Sequence, residues 1–116
     1  MGSYCVLRAV NNGIGIDSDT VSRIKKSLEL PSAAQSREAD FYHAYFRSCA
    51  LRESHDTGLA PALNRMQRAL AERRRESGRN KGSWDPEDKW GPAGGRVYST
   101  SLASLSLEAG ANSNNL

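Results

Sequence analysis

The chain has 116 residues, of which 38% are hydrophobic and 25% charged, and its formal net charge is +3 at pH 7. This length fits one domain with an ordinary composition. No apolar run approaches the roughly 20 residues of a membrane-spanning helix, and no basic segment opens a signal peptide. The two cysteines are too few for a disulfide framework and lack metal-ligand spacing, so we expect a reduced, cytoplasmic protein without a bound metal. No cofactor is expected either.

The spacing of apolar residues predicts an all-α domain. Asn11-Asn12-Gly13 is typical of a helix end, Asp17 of an N-cap and Pro31 of a stop. Residues 111–116 show no periodicity and are expected to form a disordered tail, so the folded domain spans 1–110. The expected helices cover residues 3–12, 17–30, 37–53, 59–76 and 96–109.

Two of these helices carry informative stripes. The fourth has the clearest helical pattern, formed by Leu59, Leu63, Met66 and Leu70. The third is unusually aromatic, with Tyr42, Phe46 and Cys49 on one line and Phe41 and Tyr45 beside it. Core packing and a ligand-binding surface both account for such an aromatic stripe.

The segment from Gly82 to Thr100 is expected to be an ordered loop that leads into the last helix. It holds both tryptophans, two of the four prolines and four of the ten glycines. Because a large apolar ring gains most when it is buried, the loop is expected to fold back onto the body of the protein. The predicted structural anchors of this loop are Gly82, Trp84, Trp90, Gly94 and Gly95.

Internal similarity indicates a repeated helix pair of roughly 45 to 55 residues, a size found in helical arrays. Cys5-Val6-Leu7-Arg8 matches Cys49-Ala50-Leu51-Arg52. Tyr42 and Phe46 of the third helix match Tyr98 and Leu102 of the fifth. Each unit of such an array buries its apolar face against neighbouring units, so the expected partners are the remaining repeats of a longer parent chain.

Three motifs carry a family resemblance. Gly82-Ser83-Trp84 resembles the end of the QW motif of squalene cyclases and other α/α-toroid proteins. The run Gly94-Gly95-Arg96-Val97-Tyr98-Ser99-Thr100-Ser101-Leu102-Ala103 is similar to the C-terminal repeat of bacterial prenyltransferase and squalene-oxidase repeat proteins. Phe41-Tyr42-His43-Ala44-Tyr45-Phe46 looks like the inner helix of the preceding repeat.

The resemblance covers about residues 38–109 and, more weakly, 4–30. It implies helical hairpins in a partial double-layered α/α barrel, with an inner ring of helices around a cavity. The inner helices would be 3–12, 38–53 and 96–109, and the outer helices 17–30 and 59–76. It also implies an isoprenoid or other apolar ligand, lined by Tyr42, Tyr45, Phe46 and Tyr98.

No complete catalytic set is visible. The Asp-x-Asp-Asp motif of squalene–hopene cyclases is absent, and the nearest string is Asp85-Pro86-Glu87-Asp88. That string favours the N-cap and first turn of a short helix over a proton donor. We therefore expect a scaffold or binding module without catalysis of its own. The alternative is the cavity-lining part of a terpene cyclase whose catalytic acid lies upstream.

A third alternative is a nucleic-acid-binding repeat that uses the basic run Arg73-Arg74-Arg75 with Arg79 and Lys81. Glu72 and Glu76 dilute this run, and no aromatic residue interleaves with it. A solvated helix end explains the same residues, because basic side chains oppose the negative pole of a helix C-terminus. No nucleic-acid partner is expected.

Overall fold

The computed structural model describes residues 2–29 and 40–113, and the regular structure within those ranges is entirely helical. The all-α prediction is confirmed for this part of the chain. A short 3-10 turn, Thr57–Leu59, precedes the fourth helix. The helices are α1 Gly2–Asn11, α2 Ser18–Glu29, α3 Phe41–Glu53, α4 Ala60–Glu72 and α5 Gly91–Ser113.

Several helix boundaries differ from the predicted ones. The predicted start of the third helix at Arg37 lies outside the described residues. α4 ends at Glu72, four residues early, because the chain after it turns to bond with the following loop. α5 runs to Ser113, so residues 111–113 are helical where the sequence predicts the start of a disordered tail.

Polar residues set the starts of α2 and α3. Asp17 caps α2, since its carboxylate accepts hydrogen bonds from the Asp19 N–H at 2.9 Å and the Thr20 hydroxyl at 2.6 Å. The Thr20 bond is the main reason that the pKa of Asp17 lies below its usual value. Asp40 caps α3 by accepting the His43 N–H at 2.8 Å.

The helix α3 lies at the centre of the domain. It contacts α1 on one flank and α5 on the other, α4 packs against both α3 and α5, and α2 contacts α1 and α3. The predicted stripe of α4 is confirmed, because Leu59, Leu63, Met66 and Leu70 are all buried. The rest of the main core consists of Leu7, Leu28, Phe41, Ala50, Leu51, Ala62, Trp84 and Ala103.

Small side chains let α3 and α5 approach each other. Ser48 on α3 and Ser99, Ala103 and Ser106 on α5 have no exposed surface. The buried serine hydroxyls each donate a hydrogen bond to a backbone carbonyl. The hydroxyl of Ser106 donates to the Leu102 carbonyl at 2.7 Å, and that of Ser99 donates to the Trp84 carbonyl at 2.6 Å. The result is a close helix pair with few buried large residues on the α5 side.

Side-chain hydrogen bonds also connect α1 and α2 to α3. Asn11 donates from its amide to the Glu53 carbonyl at 2.7 Å, which ties the end of α1 to the end of α3. Arg47 donates to the Leu28 carbonyl at 2.6 Å and so satisfies a group at the end of α2. Within the described ranges, no helix has both the length and the apolar character needed to cross a bilayer.

Candidate functional site

Trp84 fixes the connection between α4 and α5. Its side chain is only 4% exposed, and its indole N–H donates to the Leu70 carbonyl at 2.7 Å, in the last turn of α4. Its backbone is held as well, since the Trp84 N–H donates to the Thr100 hydroxyl at 3.1 Å and its carbonyl accepts from Ser99. Trp84 therefore joins the end of α4 to the first turns of α5.

The loop before Trp84 closes on itself through two backbone bonds. The Arg75 N–H donates to the Ser83 carbonyl at 2.8 Å, and the Gly82 N–H donates to the Arg75 carbonyl at 2.7 Å. Arg96 of α5 adds side-chain bonds to Ser83 at 2.8 Å and to Asp85 at 2.6 Å. This connection is ordered by its own polar contacts, which explains how a Gly-rich stretch keeps one conformation.

The acidic string does not form the short helical turn that the sequence predicts, since residues 85–88 are irregular. Its carboxylates are instead used in separate contacts. Asp85 pairs with Arg96 at 2.6 Å and with Arg75 at 3.4 Å. Glu87 pairs with Arg73 at 3.6 Å. Asp85 and Glu87 therefore hold the connection by ion pairs and do not cap a helical turn within the string.

Asp88 is the buried member of the string, with 5% of its surface exposed. One carboxylate oxygen accepts the Phe41 N–H at 3.0 Å and the Tyr98 hydroxyl at 3.2 Å. The other accepts the Trp90 N–H at 3.2 Å. Asp88 thus ties the start of α3 to the start of α5, and among the described residues its charge is not paired with a basic side chain.

Two glycines shape the start of α5. Gly95 has φ of +67° and ψ of −164°, a conformation that breaks the helix into a short first turn and a long second part beginning at Arg96. The sequence predicts Arg96 as the first helical residue and misses the turn before the kink. A Cβ on Gly94 would lie 2.5 Å from the Cβ of Tyr98. The absence of a side chain at Gly94 therefore lets the Tyr98 ring lie against the backbone.

An open pocket of about 520 Å³ lies where the first turns of α3 and α5 meet. Small-molecule sites typically have about 300–1,000 Å³, so this volume suits a small ligand. Its surface is mostly apolar, and its lining residues are Tyr42, Trp90, Ala93, Gly94 and Tyr98, which we call the aromatic pocket.

Trp90 departs from the expectation of a buried anchor. Its side chain is 49% exposed and faces the aromatic pocket, and the ammonium group of Lys89 lies 4.9 Å from the centre of its ring. Sequence reasoning also missed Ala93 as a lining residue. The available signal for the exposure of Trp90 was Lys89 directly before it, because lysine is rarely buried and Lys89 is exposed here.

The four residues predicted to line a ligand separate into two groups. Tyr42 and Tyr98 line the aromatic pocket. Tyr45 and Phe46 belong instead to a cluster of rings around Phe46, whose centroid lies 4.9 Å from that of Tyr42, 5.2 Å from that of Tyr45 and 6.4 Å from that of Tyr4. Tyr42 is the member that the pocket and the cluster share.

The pKa values of two tyrosines in this region are raised. Burial raises the pKa of Tyr98 to about 12, and the negative charge of Asp88 and the hydrogen bond to it act in the same direction. Tyr98 therefore stays a neutral donor to Asp88 over the whole physiological range. In the ring cluster, the pKa of Tyr45 is also raised, chiefly by its hydrogen bond with Cys49.

The lining of the aromatic pocket suits van der Waals and aromatic contacts with an apolar ligand. Within residues 2–29 and 40–113, no three His, Cys, Asp or Glu side chains converge as a metal ion would require. His43 is exposed near the pocket, and Cys49 is buried one turn beyond the ring cluster. Neither His43 nor Cys49 lines the aromatic pocket.

The basic segment is partly neutralised within the chain. Arg73 and Arg75 are engaged with Glu87 and Asp85, whereas Arg74, Arg79 and Lys81 are exposed on the loop.

Comparison of the chain with protein-family models, curated proteins and solved structures gives no match.

Proposed function

We propose that the chain is a non-catalytic binding module of the α/α-toroid repeat type, and that the aromatic pocket takes an isoprenoid or other apolar ligand. The observation that carries the proposal is the convergence of Tyr42, Trp90 and Tyr98 on one open, mostly apolar cavity. Rigid aromatic side chains provide much contact area at low conformational entropy, which suits them to ligand binding.

The order of helix contacts supports the toroid part of the proposal. In an α/α toroid, the inner helices are neighbours of one another and each outer helix spans two of them. Here α1, α3 and α5 are neighbours in that order, while α2 spans α1 and α3 and α4 spans α3 and α5. The pocket lies between two helices of the inner series, and further repeats of the same kind are the proposed partners.

The fixed carboxylates favour binding over catalysis. Asp85 and Glu87 are held in ion pairs, and Asp88 accepts three hydrogen bonds, so each carboxylate of the string has a structural contact. The alternative is that the pocket lines the cavity of a terpene cyclase. The rings of Tyr42, Trp90 and Tyr98 would serve it equally well by stabilising a carbocation. An Asp-rich motif upstream in the parent chain would favour that alternative.

The proposal is tested by titrating the labelled chain with farnesol, a fifteen-carbon isoprenoid alcohol, in a two-dimensional amide NMR experiment. We expect saturable shifts at the amides of Tyr42, Trp90, Ala93 and Tyr98, while those of the buried α4 stripe stay in place. Saturable shifts elsewhere, or none at all, would refute the proposal.

A pair of variants on the same surface sharpens this test. Trp90→Ala removes the most exposed ring of the pocket and is expected to abolish the shifts. Val97→Ala is the control, because Val97 is a 79% exposed apolar residue of α5 that does not line the pocket. Retained binding in the first variant, or lost binding in the second, would place the ligand elsewhere.

A further inference from the structure

The aromatic pocket is lined by three rings that come from three places in the chain. Tyr42 comes from the first turn of α3, Trp90 from the residue before α5, and Tyr98 from the helix beyond the kink at Gly95. Ala93 and Gly94 complete its described lining and add no further large side chain. Several aromatic rings at one site are also the means by which proteins hold quaternary ammonium groups.

The charge around the described part of the pocket favours a cation. None of the described residues that line it is basic. Behind Tyr98 lies the carboxylate of Asp88, which is 5% exposed, accepts the Tyr98 hydroxyl at 3.2 Å, and forms no ion pair among the described residues. The charge of this buried carboxylate makes the nearby surface attractive to a cation.

One ring of the pocket already contacts a cation. The ammonium of Lys89 lies 4.9 Å from the centre of the Trp90 ring, within the range of a cation–π contact. Lys89 is exposed and has a flexible side chain, so its ammonium can move into water at little cost when a ligand arrives. The Trp90 ring is thus placed where a positive charge can approach it.

We infer that the aromatic pocket binds a small, free quaternary ammonium compound, with its trimethylammonium group among Tyr42, Trp90 and Tyr98. A quaternary group suits this lining better than a primary ammonium, because it is weakly hydrated and presents methyl groups to apolar walls. The volume of about 520 Å³ leaves space for the remainder of a small molecule beyond the head group. The inference rests on one part of the proposed function, that the aromatic pocket is a ligand-binding site, and it assigns a cationic head group to that site.

The decisive experiment compares choline with dimethylbutanol, its neutral isostere in which carbon replaces the quaternary nitrogen. Both are titrated into the full chain by two-dimensional NMR, in parallel with farnesol. We expect choline to bind at least about tenfold more tightly than the isostere, because the two differ only in charge. The indole N–H signal of Trp90 should move, and that of buried Trp84 should not.

Each outcome separates the inference from the proposed function. Equal binding of choline and its isostere, or binding of farnesol alone, would overturn the cation inference and leave the apolar site in place. Selective choline binding without farnesol binding would support the inference and overturn the isoprenoid part of the proposed function. If none of the three compounds binds, both proposals fail.

Two controls locate the site and the source of the ligand. Trp90→Ala should weaken choline binding at least about tenfold, and Val97→Ala should leave it unchanged. Undiminished choline binding by Trp90→Ala would overturn the inference. Sedimentation with phosphatidylcholine vesicles tests a lipid source: binding to vesicles without binding to free choline would overturn the assignment to a free small molecule.

Discussion

Trp84 and Trp90 stand six residues apart in one connection, and the protein uses them in opposite ways. Trp84 is 4% exposed, and its ring N–H is bonded to the Leu70 carbonyl at the end of α4. Trp90 is 49% exposed, and its ring lies beside the ammonium of Lys89 at the mouth of a pocket. The first ring belongs to the core and the second to a surface that can receive a ligand.

The difference shows how one connection serves two purposes. Its first half, around Trp84, is fixed by hydrogen bonds with Ser99, Thr100 and Arg96, and it joins α4 to α5. In its second half, the backbone N–H of Trp90 donates to Asp88 at 3.2 Å, while the Trp90 ring lies half exposed. Asp88 lies at the junction, because the same carboxylate also bonds to the pocket residue Tyr98.

The largest expected effect is that of Trp84→Ala. This substitution removes a buried aromatic ring together with the indole N–H that donates to the Leu70 carbonyl, so we expect a loss of about 3–5 kcal/mol in the free energy of unfolding. Urea denaturation, followed by circular dichroism, measures the change. Trp84→Phe keeps most of the bulk and loses only the indole N–H, so its loss should be clearly smaller. A loss below about 0.5 kcal/mol for Trp84→Ala would show that this half of the connection is not anchored.

Asp88→Ala is expected to have the next largest effect. It removes a charged acceptor and leaves the buried N–H of Phe41 and the partly buried N–H of Trp90 without their acceptor, which should lower the free energy of unfolding by roughly 2–3 kcal/mol. The matched control is Asp85→Ala in the same string. Its ion pairs with Arg96 and Arg75 are partly exposed, and it should lose about 1 kcal/mol or less. Equal losses in urea denaturation would contradict the special role of Asp88.

The raised pKa of Tyr98 predicts a loss of stability at alkaline pH. Tyr98 titrates near 12 in the folded chain, against 10.0 for an ordinary tyrosine, so the unfolded chain binds fewer protons between those values. This contribution to stability is complete below pH 10.0 and is lost as the pH rises through 12. The ultraviolet absorbance of tyrosinate should show the late titration, and Tyr98→Phe should lower its amplitude by one tyrosine while the raised titration of Tyr45 remains. An unchanged amplitude in Tyr98→Phe would contradict the raised pKa of Tyr98.

Asp88→Asn sharpens the same prediction. Removing the charge should lower the pKa of Tyr98 only partway toward 10.0, because burial is the largest cause of the shift and the charge of Asp88 the second. A return of the pKa all the way to 10.0 would show that the carboxylate alone is responsible.

The local parts of the fold follow from the sequence. Helical periodicity alone predicts the apolar face of α4. The cap at Asp17 depends only on residues within one turn of the helix. The pocket could not be predicted in the same way. Its position depends on where Asp88 bonds to the start of α3, 47 residues away in sequence. Trp84 and Trp90 lie in similar Gly- and Pro-rich sequence surroundings, and only their tertiary contacts distinguish them.

The smallest expected effect on stability is that of Trp90→Ala, and it completes the comparison with Trp84. Half of the Trp90 side chain is already exposed, and the backbone N–H that bonds to Asp88 is retained in the variant. We therefore expect a change within about 0.5 kcal/mol in the free energy of unfolding, the range of surface substitutions. Urea denaturation beside Trp84→Ala measures both under one condition. A loss that approaches the Trp84 value would mean that the ring supports the fold, which would remove the reason for assigning it to a ligand.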